Sequence, residues 1–592
     1  MTLTKHWNYN EGEDLVLSNL KGLVHVNPSV RLIPSQKVVF NPHSDTSKKI
    51  AIISGGGAGH EPLHAGFVGD NLLDAAVSGT IFASPSTKQI MAALKVKADK
   101  DTGVIIVVKN YTGDIINFGL VSEKAKTEGY NVEMVIVSDD VAVGCEQNKM
   151  VGRRGIAGTA LVHKVIGAAV NDSVKAYSVQ DIRQLGENVN ANLVTIAASL
   201  DRTSVPGKNE EIEYTKSNEA ELGLGIHNEP GTRISPIPNI DDLVNRLFKL
   251  LVSPEDKDRH YVDFDLQNDD YILLINNIGG TSTLELNAIV EHVLSNLPFK
   301  KAPKRVLASD FVTSISSPGF SITLLNLTKM NYETEQILSY IDAPTNAPGW
   351  KPKSYDEQLW GRSEEFKYFE SEKLQEVVRP TNVNLKIDHK SFEKALRGSL
   401  NNLLSQVSKI DHYDAIVGDG DCGDTLKAGA TAILNHINKD NSCLQDVLDA
   451  LWVITELVED NMGGTSGGLY SIFLTALTQN LQKENELTVK TFADASRKAM
   501  YEGLFKYTKA RVGGRTLVDV LQPFIDELYD TQDLKSALAK GKQGCEDTLK
   551  LSHAKFGRAS YVNEDMFKLE GGIPDPGAVG LLAILQGFIE NL

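Results

Sequence analysis

Cysteine is scarce in this chain. Its 592 residues include four, Cys145, Cys422, Cys443 and Cys545, and no two form a C-x-x-C pair. That excludes a disulfide framework and favours a reducing compartment. No apolar run reaches membrane-spanning length, and the first ten residues lack the apolar core of a signal peptide. The last three, Glu590-Asn-Leu592, are not the Ser-Lys-Leu peroxisomal signal. A cytoplasmic protein is expected. Positive charge is also short: 60 Lys and Arg stand against 77 Asp and Glu, a net charge of −17. Nucleic acid and anionic membrane are therefore excluded as main partners. A nucleotide is not, because glycine loops and a metal offset repulsion locally. Neither a Walker A sequence nor the protein-kinase signatures occur.

Hydrophobic residues make up 41% and charged residues 23%, as in ordinary globular proteins. The length exceeds what one core supports, and two to four domains are expected. Residues 49–54, 103–108 and 132–137 are apolar runs, each followed by a polar loop and then helical spacing. They predict a mostly parallel α/β sheet. Further strands are predicted at 271–276, 304–308 and 320–326. Residues 345–390 lose periodicity and are rich in Lys, Glu, Pro and Ser. Beyond Ser391 helical spacing dominates, and eight helices are predicted: 391–407, 425–437, 444–459, 466–481, 489–504, 516–528, 533–551 and 577–589. The fold class is multidomain α/β plus all-α. Residues 1–350 form the α/β part, subdivided near 190. Residues 351–384 are a linker, and 385–592 form the all-α part.

The densest chemistry lies at Asp414-Ala-Ile-Val-Gly-Asp-Gly-Asp-Cys-Gly-Asp-Thr425. Carboxylates this close repel one another unless a cation sits between them, and several of them with phosphate oxygens suit Mg²⁺. An EF-hand is excluded, because Asp424 and Ala430 stand where the loop needs Gly and Glu. The competing reading is a solvated acidic turn. Glycine loops also precede predicted helices at Gly463–Gly468, Gly513–Thr516 and Pro574–Gly577. Arg558 adds a candidate cation. Four such loops around an acidic cluster suggest a nucleotide held by backbone N–H groups.

In the first half, Ser54-Gly-Gly-Gly-Ala-Gly-His-Glu-Pro-Leu-His64 contains H-E-x-x-H, read literally. The glycines and Pro62 place a helix start at Pro62, with His60 outside it. The two histidines then share no helical face, which argues against zinc. His60 reads as either a turn residue or a side chain aimed at a small polar ligand. Lys109 and Asp114 follow a buried run and either pair at the surface or flank a substrate. His227 sits among glycines and Pro230, which fix its backbone path.

Taken in order, seven stretches resemble the dihydroxyacetone kinase family in its ATP-dependent, two-domain form. They are 55–62, 109–114, 225–231, 418–423, 463–466, 557–560 and 575–577. The resemblance spans nearly the whole chain except the linker. It implies an N-terminal α/β domain that binds a triose through Gly57, Ala58, Gly59, His60, Lys109 and Asp114. His227 would hold the substrate carbonyl as a hemiaminal, with Asp114 and His60 beside it as catalytic groups. It implies a C-terminal eight-helix barrel with Mg²⁺ on Asp414, Asp419 and Asp421. ATP would meet Cys422, Gly423, Asp424, Thr425, Thr465, Ser466, Gly514, Arg558, Asp575, Pro576 and Gly577. The implied reaction moves the γ-phosphate of ATP to dihydroxyacetone, and also to D-glyceraldehyde, in a homodimer. Three positions depart from the commoner pattern: Cys422 replaces His, Asn228 replaces Gly and Ala58 replaces Ser. Two alternatives remain, an FAD-AMP lyase forming cyclic FMN and a non-catalytic triose sensor.

Overall fold

The computed structural model describes the chain except for residues 1–5, 8, 10–12, 147–150, 207–215, 354, 356–359, 361–367, 369–384, 552 and 555–563. It divides into two compact units, Met1–Phe369 and Glu370–Leu592. The boundary falls inside the segment expected to be a linker, most of which lies outside the described residues.

The first unit carries two six-stranded sheets. In the first, β1 (Arg31–Ile33), β2 (Val38–Phe40), β4 (Ala75–Ile81), β3 (Ala51–Ala58), β5 (Val104–Lys109) and β6 (Val132–Val137) lie side by side in that order. β4, β3, β5 and β6 run parallel, as the apolar runs predict. Helices α1 (Leu15–Val26), α2 (Thr87–Lys97), α3 (Thr112–Thr127), α4 (Gly158–Ala169) and α5 (Val179–Ala191) accompany it. Alternation explains the continuous hydrophobicity of β5. Val104, Ile106 and Val108 pack with α2 and α3, while Ile105 and Val107 face the core that holds α4 and α5.

The second sheet is ordered β11 (Arg305–Ser309), β10 (Tyr271–Asn277), β12 (Gly319–Asn326), β7 (Leu193–Ser199), β8 (Ala220–Leu222) and β9 (Thr232–Ile234). Only β10 and β11 are parallel. Helices α6 (Ile240–Val252) and α7 (Thr283–Ser295) cover one face, and α8 (Thr334–Asp342) joins the other. Every residue of α4 is buried, and its core takes side chains from both sheets.

One difference concerns the glycines after Ser54. They do not form a loop; β3 runs through Gly55–Ala58, with a bulge between Gly56 and Ala58. A Cβ on Gly55 would stand 2.4 Å from the Val77 carbonyl oxygen, so glycine lets the neighbouring strand approach. Nor does a helix begin at Pro62. A turn there leads only to a 3-10 turn at Ala65–Phe67.

The second unit contains eight α-helices among the described residues. They are α9 (His389–Val417), α10 (Cys422–Lys439), α11 (Val447–Asn461), α12 (Gly464–Leu481), α13 (Val489–Lys498), α14 (Val518–Thr531), α15 (Leu534–Thr548) and α16 (Pro576–Ile589). Each packs on the next in sequence and α16 packs back on α9, which closes a barrel. α9 runs ten residues past its expected end, and α10 starts three residues early. Met566–Ile589 has the length and mean hydropathy (1.3) of a membrane span, unlike the expectation that no run is long enough. It is broken by left-handed Glu570, Gly571 and Gly572 and by Pro574. Its apolar part is the 14-residue α16, whose Ala578, Leu581 and Ala583 sit in the helical core.

Candidate active site

The C-terminal ends of parallel strands are where α/β sheets bind ligands. Here β3 delivers Gly57, Ala58, Gly59 and His60; β4 delivers Phe82 and Ser84; β5 ends on Lys109. Asp114 occupies the first turn of α3. The loop between β8 and β9 brings His227, and the loop between β11 and β12 brings Thr313. The Ile315 N–H donates to the Gly59 carbonyl at 2.8 Å, tying that last loop to the glycine strand. A cavity of about 780 Å³ opens here, walled by Ala58, Gly59, Glu61, Asn277, Asp310 and Thr313.

His60 and His227 meet directly, Nε2 to Nε2, at 3.0 Å. His60 Nδ1 lies 2.9 Å from the Thr313 carbonyl oxygen, which only accepts, so Nδ1 carries a hydrogen. His227 Nδ1 lies 3.0 Å from Glu229 Oε1, and the His227 N–H donates to Oε2 at 2.9 Å. That Nδ1 also carries a hydrogen. Each outer nitrogen is thus a donor, and the inner contact needs one more proton between the rings. Burial, then the Lys109 and His227 charges, hold His60 well below its ordinary value. Burial raises Glu229, but the hydrogen bonds from His227 outweigh it and hold the carboxyl at about 2. An anion stands permanently behind the His227 ring. Tyr111 packs edge-on to that ring at 4.5 Å, and Phe82 stacks on His60 at 5.3 Å.

Lys109 is almost fully buried. Burial lowers its ammonium to about 8, against the opposing fields of Asp114, Glu229, Glu61 and Asp139. Burial raises Asp114, opposed by Lys109, the Ser84 hydroxyl and His227. Lys109 and Asp114 are therefore both buried and do not form a surface pair. Asn228 takes a left-handed φ of 64°, and its side-chain amide bonds both backbone groups of Thr203, so asparagine fits this turn. Glu229, Tyr111, Phe82 and Thr313 were assigned no role from sequence. Glu229 and Tyr111 had a local signal, lying within the 225–231 and 109–114 stretches.

In the helical unit, Asp414, Asp419 and Asp421 bring one carboxylate oxygen each to within 4.8 Å of one another. Asp414 lies in the last turn of α9, where the helix dipole is unfavourable to an anion. Three N–H groups compensate: those of Gly420, Asp421 and Cys422 donate to its Oδ2 at 2.9–3.0 Å. Its Oδ1 is left for a cation. Three hard oxygen donors with room for phosphate and water fit Mg²⁺. Asp424 N–H bonds Asp411, and the Asp424 carboxylate pairs with Lys427 instead of joining the cluster.

The starts of α10, α14 and α16 come together: the Asp575 charge reaches the Cys422 thiol, and Gly577 lies beside the Leu517 backbone. That end carries Cys422, Gly423 and Thr425, Gly514, and Asp575 to Gly577, while Thr465 and Ser466 open α12. Burial pushes the Cys422 thiol up, and Asp414 and Asp575 push it further, so it stays neutral. Asp575 caps α16 through the Ala578 N–H at 2.7 Å; burial brings its carboxyl to about 6, despite Arg515. Arg558 lies outside the described residues. A cation that sequence passed over is Arg515, buried and donating to the carbonyls of Thr548, Leu551 and Ile573.

Two domain models match the chain, the Dak1 domain over residues 21–349 and the DAK2 domain over residues 416–590. This chain belongs to the dihydroxyacetone kinase family. A family member from Pichia angusta, "Dihydroxyacetone kinase", is 48% identical, over 99% of this chain and 98% of its own. One of the same name from Komagataella pastoris is 49% identical over the same shares. The structure of the C. freundii dihydroxyacetone kinase in complex with AMP-PNP and Mg²⁺ is 27% identical, with a TM-score of 0.67 and full coverage of both chains. This family member is likewise an ATP-dependent kinase that uses Mg²⁺.

Proposed function

We propose that the enzyme phosphorylates dihydroxyacetone, and D-glyceraldehyde as well, holding the triose as a hemiaminal on His227. The observation that carries this is the hydrogen-bonded line His60–His227–Glu229. As the carbonyl carbon approaches, the proton shared between the two rings passes by way of His60 to the carbonyl oxygen, leaving the His227 Nε2 lone pair free. The freed nitrogen lone pair then forms the C–N bond. The alkylated ring carries a positive charge, and Glu229 faces it across the Nδ1–H. The backbone N–H groups of Gly55–Gly59 and His60 are the candidates for holding the new C2 hydroxyl, apart from that of Gly59, which donates to Glu61 Oε2 at 2.8 Å. Asp114 accepts the proton of the terminal hydroxyl as its oxygen attacks the γ-phosphorus and ADP leaves. Burial suits Asp114 to this, because it makes the carboxyl more basic.

Asp414, Asp419 and Asp421 are the Mg²⁺ ligands in this scheme. The ion supplies charge neutralisation at the phosphates when bound. The Cys422–Thr425, Thr465–Ser466, Gly514 and Asp575–Gly577 turns receive the nucleotide, with Arg558 as a further phosphate contact. We place the enzyme in the cytoplasm as a homodimer. Light scattering is expected to give twice the 64.6 kDa chain mass; a monomer contradicts the dimer.

The test is incubation with ATP, Mg²⁺ and dihydroxyacetone, with FAD replacing the triose in a second arm. Triose phosphate and ADP are expected. Cyclic FMN without triose phosphate would overturn the scheme in favour of a flavin lyase, and no product in either arm would favour a sensor.

Lys109 adds a pH signature. Its ammonium loses its proton near pH 8. The kcat/KM for the triose is expected to fall above that pH, and Lys109→Arg, which stays charged, to flatten the alkaline limb. A limb unchanged in the arginine variant would assign it to another group.

A further inference from the structure

The second histidine of the H-E-x-x-H stretch takes no part in the scheme above, yet it is buried beside it. Ser54 Oγ donates to the Val107 carbonyl at 2.8 Å, so its lone pairs face His64 Nδ1, 3.0 Å away. His163 Nε2 faces the same nitrogen at 3.1 Å. His64 Nδ1 therefore carries the hydrogen, shared between two acceptors, and His64 Nε2 is a bare lone pair. That Nε2 is buried and has no hydrogen-bond partner. It stands over Gly56. A Cβ there would lie 3.4 Å from His64 Nε2 and 3.3 Å from Asp114 Oδ2. The other Asp114 oxygen, Oδ1, accepts the Ser84 hydroxyl.

As a carboxylate, Asp114 has no proton to offer, and the two acceptors border the same space over Gly56 without bonding one another. Once Asp114 takes a proton, Oδ2 becomes a donor and His64 Nε2 is the acceptor waiting for it, directly or through one water. We propose that His64 is a positioning residue for Asp114, accepting a hydrogen bond only from its acid form and so keeping the carboxyl basic. A bond available only to the protonated form raises a carboxyl pKa. His64 does not compete for the proton, because burial and then the charges of Lys109, His163 and His60 hold it well below its ordinary value. The charged and polar groups acting on Asp114 itself are Lys109, Ser84 and His227, which all pull the other way. His64 offsets them. The atoms balance without a further reactant: the hydroxyl O–H breaks, its oxygen bonds phosphorus, the bond to ADP breaks, and the proton stays on Asp114 until product leaves.

The proposal rests on Asp114 as the base, and the experiment separates the two. Single-turnover phosphorylation of dihydroxyacetone is followed against pH in wild type, His64→Leu, His64→Gln, Gly56→Ala and Asp114→Asn. Leucine removes the acceptor and should slow the step by about tenfold or more. It should also move the acidic limb down by about one pH unit. Glutamine supplies an amide oxygen and should restore both. Alanine at position 56 wedges a methyl between the two groups with His64 in place, and should shift the limb as leucine does. If His64→Leu fails to fold, the Gly56→Ala and His64→Gln profiles decide. An acidic limb that stays in place in the folded leucine or alanine variants, with Asp114→Asn inactive, overturns the role of His64 alone. Wild-type turnover by Asp114→Asn overturns the base assignment, and the proposal with it.

Discussion

His227→Ala is expected to keep Mg²⁺–ATP binding and to lose both tight triose binding and the discrimination against glycerol. Glycerol nearly matches dihydroxyacetone in shape but has no carbonyl, so it forms no adduct. A pocket that selects by packing alone separates such a pair by roughly 10–200-fold, whereas a site with a dedicated polar or covalent contact reaches about 10⁴ or more. The variant should fall from the second regime to the first. Its fold should survive, because His227 sits in a loop beside the cavity, partly exposed. The kcat/KM ratio for the two substrates measures the change, and an undiminished ratio refutes the covalent role.

Asp419→Asn and Asp421→Asn should each abolish ATP turnover while leaving triose adduct formation nearly intact, because the aspartates belong to the helical unit and His227 to the other. Loss of a phosphate clamp should cost roughly 4 kcal/mol of transition-state stabilisation, about a thousandfold in rate. Both side chains are exposed, so folding should be little affected. Asp414→Asn is a poorer test. That side chain also accepts three backbone N–H groups, and its loss would disturb the turn itself. Isothermal titration with Mg²⁺ and a non-hydrolysable ATP analogue should show weakened binding in the two variants. Wild-type turnover by either would remove the metal assignment.

Much of the scaffold was legible in one dimension because burial leaves a periodic signature. The run Val104–Val108 is apolar at every position because both faces of β5 are covered. The helices of the second unit show 3.6-residue spacing because each buries one stripe. The missed end of α9 had its signal too: Leu403, Val407, Ile410 and Val417 are all buried, but the polar residues among them read as a loop. Gly55–Ala58 misled for the opposite reason. Glycine is usual in loops, and here it admits a neighbouring strand that no local pattern announces.

The site was legible where one residue carried it and not where a partnership did. His60, Lys109, Asp114 and His227 lie within known motifs. Thr313, which fixes the tautomer of His60, is 253 positions away, and nothing local marks it. Phe82 looks like any other aromatic residue in sequence. Arg515 illustrates the limit in the helical unit: Arg558 drew attention because it sits in a motif, while the arginine that pins three carbonyls does so only once the chain has folded.

The most direct test of the account is a crystal structure of the protein soaked with dihydroxyacetone. Continuous density from His227 Nε2 to a tetrahedral C2, at a single-bond length of about 1.5 Å, with His60 displaced from His227 and hydrogen-bonded to the new hydroxyl, is the expected result. A planar triose held at van der Waals distance from an unmodified His227, with the Nε2–Nε2 contact intact at saturating substrate, would contradict it.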